Sequence, residues 1–181
     1  MQFLLAVSRS IDAAAAALGK ALSWLVLAAV VVSSVNATIR FVFNASSNAW
    51  LEAQWYLFGA VFLLGAGYTL LRGEHIKIDI VAARLPRRVR DWIDIVGHVV
   101  FLIPFCLVMI YGGWAFFTRS FVSGEYSSSA GGLILWPAKL LIPLGFALLL
   151  AQGVSELIKR IAVMRGLMPD PHADAGAHNA K

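Results

Sequence analysis

Few residues of this 181-residue chain have side chains and spacings that could do chemistry. Three adjacent serines at 127–129 could supply a nucleophile, but no histidine is expected on their side of the membrane to act as a base. A haem anchor would need two axial histidines, for which His75 and His98 form the suitable pair. An exporter would need a carboxylate within the membrane, and Glu52 is the candidate. The sequence lacks motifs for metal, phosphate or nucleotide binding, so we expect neither an enzyme nor a bound cofactor.

The elements that must position these side chains are long apolar stretches. Apolar residues make up 60% of the sequence and charged residues only 14%, which lies outside the usual balance for a soluble domain. About 20 apolar residues can cross a bilayer as a helix that closes its own backbone hydrogen bonds. The sequence therefore predicts an all-α integral membrane protein with four transmembrane helices, at approximately 21–39, 55–71, 93–117 and 133–151. We expect one membrane domain over residues 1–167 and a disordered cytoplasmic tail over 168–181.

The positive charge of the chain indicates its orientation in the membrane rather than a nucleic-acid partner. The net charge is +5. All but three of the 15 lysines and arginines lie before the first span, between the second and third spans, or after the fourth. The three exceptions are Arg40, Arg119 and Lys139. Because basic residues concentrate on the cytoplasmic side of membrane spans, we expect both termini in the cytoplasm. Glu52 lies near the opposite boundary, where its carboxylate should reach water.

Two short segments have the apolar spacing of helices that lie along a membrane surface. They are residues 3–12, which include Arg9 and Asp12, and residues 84–92, which lead into the third span. The alternative for the start of the chain, a cleaved signal peptide, would have an unusually long leading region. Residues 75–80 fit a helix or, through their alternating isoleucines, a strand, so their local structure stays open.

Three patterns in the chain carry a resemblance to a known family. The connection after the second span contains Arg72, Gly73, His75, Ile76, Ile78 and Asp79. Trp50, Glu52 and Tyr56 open the second span, and the fourth contains Trp136-Pro137 and later Ile142-Pro143-Leu144-Gly145-Phe146. Together with four spans, these patterns resemble the small integral-membrane subunit of the tripartite ATP-independent periplasmic (TRAP) transporters. The resemblance covers residues from about 18 to 159.

The resemblance implies a role in transport without a substrate site in this chain. In that family a larger multi-span permease subunit holds the substrate and sodium sites, and a periplasmic binding protein delivers an organic anion, often a carboxylate. The small subunit braces the larger one in the bacterial inner membrane. We therefore expect a non-enzymatic scaffold for ion-gradient-driven symport, whose partners are the permease, the binding protein and the bilayer. The alternative is a haem-binding four-helix membrane anchor of a redox complex.

Two sets of residues are candidates for contacts between helices or subunits. The first set consists of family-motif residues, namely Arg72, Gly73, His75, Asp79, Trp50 and Glu52. The second set consists of small residues, which let helices approach closely in lipid, namely Gly59, Gly65, Gly67, Gly112, Gly113 and Gly145. His75 and Asp79 lie four residues apart in the sequence. If a helix resumes after Gly73, this spacing places them on the same face, where they can make a charge-assisted contact.

Overall fold

The computed structural model describes residues 2–44, 47–73 and 86–169, which form long helices. The helices are α1 (Gln2–Phe43), α2 (Asn48–Arg72), α3 (Arg87–Val96), α4 (Ile103–Ser123) and α5 (Trp136–Met164), and a π-helical segment, Gly97–Leu102, joins α3 to α4. Four helices, counting Val89–Ser123 as one, are long and apolar enough to cross a membrane. Within the described residues, the predicted all-α architecture with four helices able to span a membrane is therefore confirmed.

The helices extend beyond the predicted spans. Helix α1 has 42 residues, which corresponds to about 63 Å at the usual rise per residue and is about twice the hydrocarbon thickness. Residues 3–12 are the first turns of α1, continuous with the first span. The end of the predicted surface segment 84–92 forms the start of α3. Residues 75–80 and most of the predicted tail lie outside the described residues.

Helix α5 lies at the centre of the bundle, in contact with α1, α2, α3 and α4. Glycines allow these contacts to be close. A Cβ atom on Gly145 of α5 would lie 2.7 Å from the carbonyl oxygen of Leu63 on α2, and one on Gly113 of α4 would lie 3.1 Å from the ring of Pro143. Gly67 of α2 is similarly placed, with its Cβ position 3.3 Å from the carbonyl oxygen of Leu148. Backbone atoms therefore approach across the helix interfaces, as lipid-embedded bundles require.

The π-helical segment has a local cause in the sequence. Pro104 lies in the first turn of α4, where its ring conflicts with the carbonyl four residues earlier and its nitrogen donates no hydrogen bond. That carbonyl belongs to Val100, which lies within Gly97–Leu102. A widened π-helical turn relieves the conflict without breaking the helix. The second proline, Pro143, is buried inside α5, which continues through it.

Candidate functional site

The family-motif residues that follow α2 are described only in part. The Nε atom of Arg72 donates a hydrogen bond to the hydroxyl of Tyr68 at 2.9 Å, and its guanidinium lies 5.5 Å from the centre of the same ring. Gly73 has a φ of 68° and caps α2, with its N–H bonded to carbonyls of the last turn. This left-handed conformation favours glycine. His75 and Asp79 lie outside the described residues, so their contact stays a prediction.

Glu52 anchors the connection between α4 and α5, which we call the connecting loop (residues 124–135). Its carboxylate accepts a short hydrogen bond from the hydroxyl of Ser127 and one of 2.6 Å from the backbone N–H of Leu133. Only 8% of Glu52 is exposed. We expected this carboxylate to reach water, but the connecting loop covers it. The carboxylate can be buried there because hydrogen bonds from the loop replace those that water would make.

Other contacts hold the connecting loop to the start of α2. The hydroxyl of Tyr56 donates to the carbonyl of Ile134 at 3.0 Å, and the amide of Asn48 donates to the carbonyl of Ala130 at 2.9 Å. A Cβ atom on Gly132 would lie 2.9 Å from Oε1 of Glu52, so this close approach favours glycine. The indole of Trp50 is exposed. Two of the three span-two motif side chains, those of Glu52 and Tyr56, therefore fix the loop.

An ion pair closes the connecting loop against the first turn of α5. Lys139 donates a short hydrogen bond to Glu125, and its ammonium lies 4.1 Å from the centre of the Phe116 ring. The hydrogen bond from Lys139 holds the pKa of Glu125 below its usual value. Backbone hydrogen bonds join Ser127 to Leu133 and Leu135 to Glu125. The loop is thus a turn with defined internal structure.

A second polar cluster lies at the other end of the bundle, between the start of α1 and the end of α5. We call it the terminal cluster, and its members are Ser8, Asp12, Gln152, Ser155, Glu156 and Lys159. The ammonium of Lys159 donates to Asp12 at 3.0 Å and to Glu156 at 2.5 Å. The amide nitrogen of Gln152 donates to Asp12 at 2.8 Å and to Glu156 at 3.1 Å.

Two hydroxyl groups complete the terminal cluster. The hydroxyl of Ser155 donates to Asp12 at 2.8 Å and lies 2.7 Å from the hydroxyl of Ser8. Ser8, Gln152 and Ser155 are at most 1% exposed, and Lys159 is 7% exposed. Buried charges and hydroxyls are tolerated when they are paired with one another. The terminal cluster therefore joins the start of α1 to α5, two segments that lie at opposite ends of the sequence.

Sequence reasoning missed the terminal cluster, although one signal was available. Ser155 and Glu156 lie three and four residues after Gln152, and Lys159 lies four and three residues after them, so the four side chains share one face of α5. Such a polar stripe next to an apolar span predicts a polar partner. The partner itself, Asp12, had been assigned to a surface segment, and 140 residues separate it from Gln152.

His98, the described member of the predicted haem pair, lies in the π-helical segment. Its Nδ1 atom is 2.7 Å from the carbonyl oxygen of Asp94, and its Nε2 atom is buried and has no hydrogen-bond partner among the described residues. The neighbouring residue pair, Asp91 and Asp94, binds Arg160 of α5 at 3.1 and 2.7 Å. The other haem candidate, His75, lies outside the described residues, so the geometry of the pair is not tested.

The predicted packing glycines fall into two groups. Gly67, Gly113 and Gly145 face neighbouring helices, and a Cβ on Gly65 would lie 3.6 Å from Leu22. Cβ atoms on Gly59 and Gly112 would meet no described atom within 4 Å outside their own helix backbone. The glycines of the first group pack against other helices of this chain.

The comparison with protein families connects these features to a known group. Residues 29–163 match the family described as tripartite ATP-independent periplasmic transporters, DctQ component. The chain belongs to the DctQ family. This result confirms the resemblance found in the sequence, because DctQ proteins are the small membrane component of TRAP transporters and not a family of enzymes. In these systems DctQ works with the large DctM permease and the DctP binding protein. No individual curated protein matches the chain.

The matched region includes the connecting loop and most of α5, but not the whole terminal cluster. Ser8 and Asp12 precede residue 29, where the match begins, whereas Gln152 and Lys159 lie inside it. The terminal cluster thus joins a segment outside the family match to the central helix of this DctQ protein. Its extended α1 is a feature of this chain that the match does not describe.

Proposed function

We propose that this DctQ protein is a scaffold for the large permease in a TRAP transporter that takes up organic anions such as carboxylates. On this proposal a gradient of sodium ions drives uptake. The substrate and the ion bind to the large permease and not to this chain. The supporting observation is that several charged groups at the ends of the apolar helices are held by contacts within this chain. Glu52 binds the connecting loop, Lys159 binds Asp12 and Glu156, and Arg160 binds Asp91 and Asp94.

The outer surface of the bundle supports a scaffold role. Large apolar side chains are exposed along α1 and α4, for example Trp24, Tyr111 and Val122 at 74%, 83% and 86%. A soluble protein rarely exposes apolar surface of this extent, so lipid covers most of it, and we propose that a membrane partner covers part of it. Small residues let helices of two subunits approach closely. We propose that Gly59 and Gly112, which have open space at their Cβ positions, lie against the permease.

We also propose the orientation that the basic residues indicate, with both termini in the cytoplasm of a bacterium and the protein in its inner membrane. The connecting loop then faces the periplasm, on the side from which a binding protein approaches. The terminal cluster and the motif around Arg72 then lie on the cytoplasmic side. A cysteine-labelling experiment with a membrane-impermeant reagent distinguishes the two orientations. Ser128→Cys should be labelled in intact spheroplasts, and Ala173→Cys only after lysis.

The scaffold proposal is tested by purifying the tagged chain in mild detergent from its native cells and identifying the retained proteins. We expect a much larger multi-span permease in about equal amount. Recovery of a cytochrome or dehydrogenase, with a haem absorption band, would support the redox-anchor alternative instead.

A matched pair of variants tests the second-connection motif in the same experiment. Asp79→Ala should lower recovery of the permease, because we propose that this motif contacts it. Asp174→Ala, the same substitution in the predicted tail, should leave recovery unchanged. Equal recovery with both variants would show that the motif only shapes a turn.

A further inference from the structure

A cleft between the end of α1 and the start of α2 has polar side chains that the scaffold role does not use. Its volume is about 690 Å³. Five polar residues line it, namely Ser33, Asn36, Arg40, Asn44 and Gln54. Arg40 is the single lining residue with a charge. The cleft therefore combines one positive charge with several neutral hydrogen-bonding groups.

The polar side chains of the cleft are short of partners. Asn36 is only 8% exposed, yet its amide makes no hydrogen bond to any described residue. Gln54, which is half-buried, makes none either, and Arg40 forms no ion pair within the described part of the chain. The side-chain oxygen and nitrogen of Asn36 are not among the fully buried unpartnered atoms of the described residues, so they open onto the cleft and can bond to a ligand there. The cleft thus has the donors of a binding site without the acceptor.

The missing acceptor should be an anion with several oxygen atoms. The guanidinium of Arg40 presents a planar set of donors that suits phosphate or carboxylate oxygens. The amides of Asn36 and Gln54 can donate to further oxygens of the same group. Arg40 makes no described hydrogen bond to the last carbonyls of α1, which would have been its alternative role near a helix C-terminus.

The rest of the lining indicates a lipid. Ala37, Phe41 and Leu51 place apolar surface beside the polar groups, and the side chain of Phe41 is 91% exposed. Arg40 follows the apolar stretch of α1, which places it at the boundary between hydrocarbon and headgroups. An amphipathic ligand at this depth meets both kinds of surface. A soluble anion would use the polar half alone.

We propose that this cleft binds the phosphate group of a membrane phospholipid. Arg40 pairs with the phosphate, Asn36 and Gln54 donate to phosphate or ester oxygens, and an acyl chain runs past Ala37 towards the membrane interior. The lipid satisfies the amides that the protein leaves open. It also fills the space between α1 and α2 at the end of the bundle that carries the connecting loop.

The test is native mass spectrometry of the full-length chain, delipidated in detergent and titrated with phosphatidylglycerol. The unmodified chain should retain one lipid, and Arg40→Gln should bind it about tenfold more weakly, as expected for loss of a charged hydrogen bond. Gln54→Glu, which keeps the size of the side chain but adds a negative charge, should weaken binding similarly. Arg119→Gln removes an exposed arginine outside the cleft and should leave binding unchanged.

The outcomes separate the possible sources of the phosphate. Equal losses with Arg40→Gln and Arg119→Gln would overturn the proposal, because binding would then depend on overall charge. Inorganic phosphate at millimolar concentration should not displace the lipid. Binding of inorganic phosphate with no binding of lipid would overturn the lipid assignment and identify a soluble phosphate as the ligand. Circular dichroism of each variant confirms that the helices are intact.

Discussion

Replacing Gly145 by alanine should separate α5 from α2, because the added methyl group has no room. The new Cβ atom would lie 2.7 Å from the carbonyl oxygen of Leu63 and 2.9 Å from its carbonyl carbon. Both atoms belong to the backbone of α2, so the contact cannot be relieved by rotating a side chain. One of the two helices must move instead.

The size of the effect is the difference between two opposing contributions. Alanine is favoured over glycine within a helix by about 0.5–1 kcal/mol. Overpacking costs about 1–3 kcal/mol, and contact with backbone places Gly145→Ala towards the upper end. The net loss of unfolding free energy should be about 2 kcal/mol, which lowers the Tm by about 4–8 °C for a chain of this size.

Gly112→Ala provides the matched control on α4. Its Cβ position has no described atom within 4 Å outside its own helix backbone, so the helix preference acts alone and the Tm should stay unchanged or rise by about 2–4 °C. The measurement is thermal unfolding of the two variants in the same detergent. Equal Tm values, or a lower value for Gly112→Ala, would refute the proposed packing of α5 against α2.

Three further predictions concern the two polar clusters. Glu52→Gln should loosen the connecting loop, because an amide is a weaker acceptor than a carboxylate, and amide hydrogen exchange in the loop should rise by about tenfold; unchanged exchange would contradict the anchoring role. Lys159→Met should lower the unfolding free energy by about 2 kcal/mol, because two carboxylates lose their cation, whereas Lys20→Met at an exposed position should have little effect in the same thermal assay. Lys139 lowers the pKa of Glu125 below its usual value of 4.5, so the contribution of this pair is present above that pH and is lost as the pH falls through the lower pKa of the folded protein. The protection factors of the loop amides, which are their exchange rates corrected for the intrinsic rate at each pH, should therefore fall on acidification below about pH 4.5, and a pH profile that is the same in Lys139→Met would count against the ion pair.

The helices of this protein could be predicted from sequence because their cause is local. An apolar stretch of sufficient length in lipid must form a helix, whatever its neighbours are. The four membrane-spanning helices were predicted on this basis and are confirmed. The full lengths of the helices were not predicted, because α1 continues through Arg9, which is exposed, and Asp12, whose charge is compensated by Lys159.

The polar contacts were harder to predict because their cause is distant in sequence. Glu52 was recognised as a notable residue, but its partners, Ser127 and Leu133, come more than 70 residues later. The hydrogen bonds follow from the fold and could not be derived before it. Among the glycines, the sequence marks Gly112 and Gly113 alike, whereas the structure points Gly113 at Pro143 and Gly112 away from the described chain.

Transport kinetics of the assembled transporter test the central claim, that this chain supports the permease without touching the substrate. Proteoliposomes containing the complete system should be compared with ones that carry Gly59→Leu or Gly112→Leu in this chain. The scaffold account predicts a lower maximal uptake rate, in proportion to the amount of intact complex, with the apparent KM and the substrate preference unchanged. A changed KM or a changed preference would contradict it, because substrate recognition would then involve this DctQ subunit.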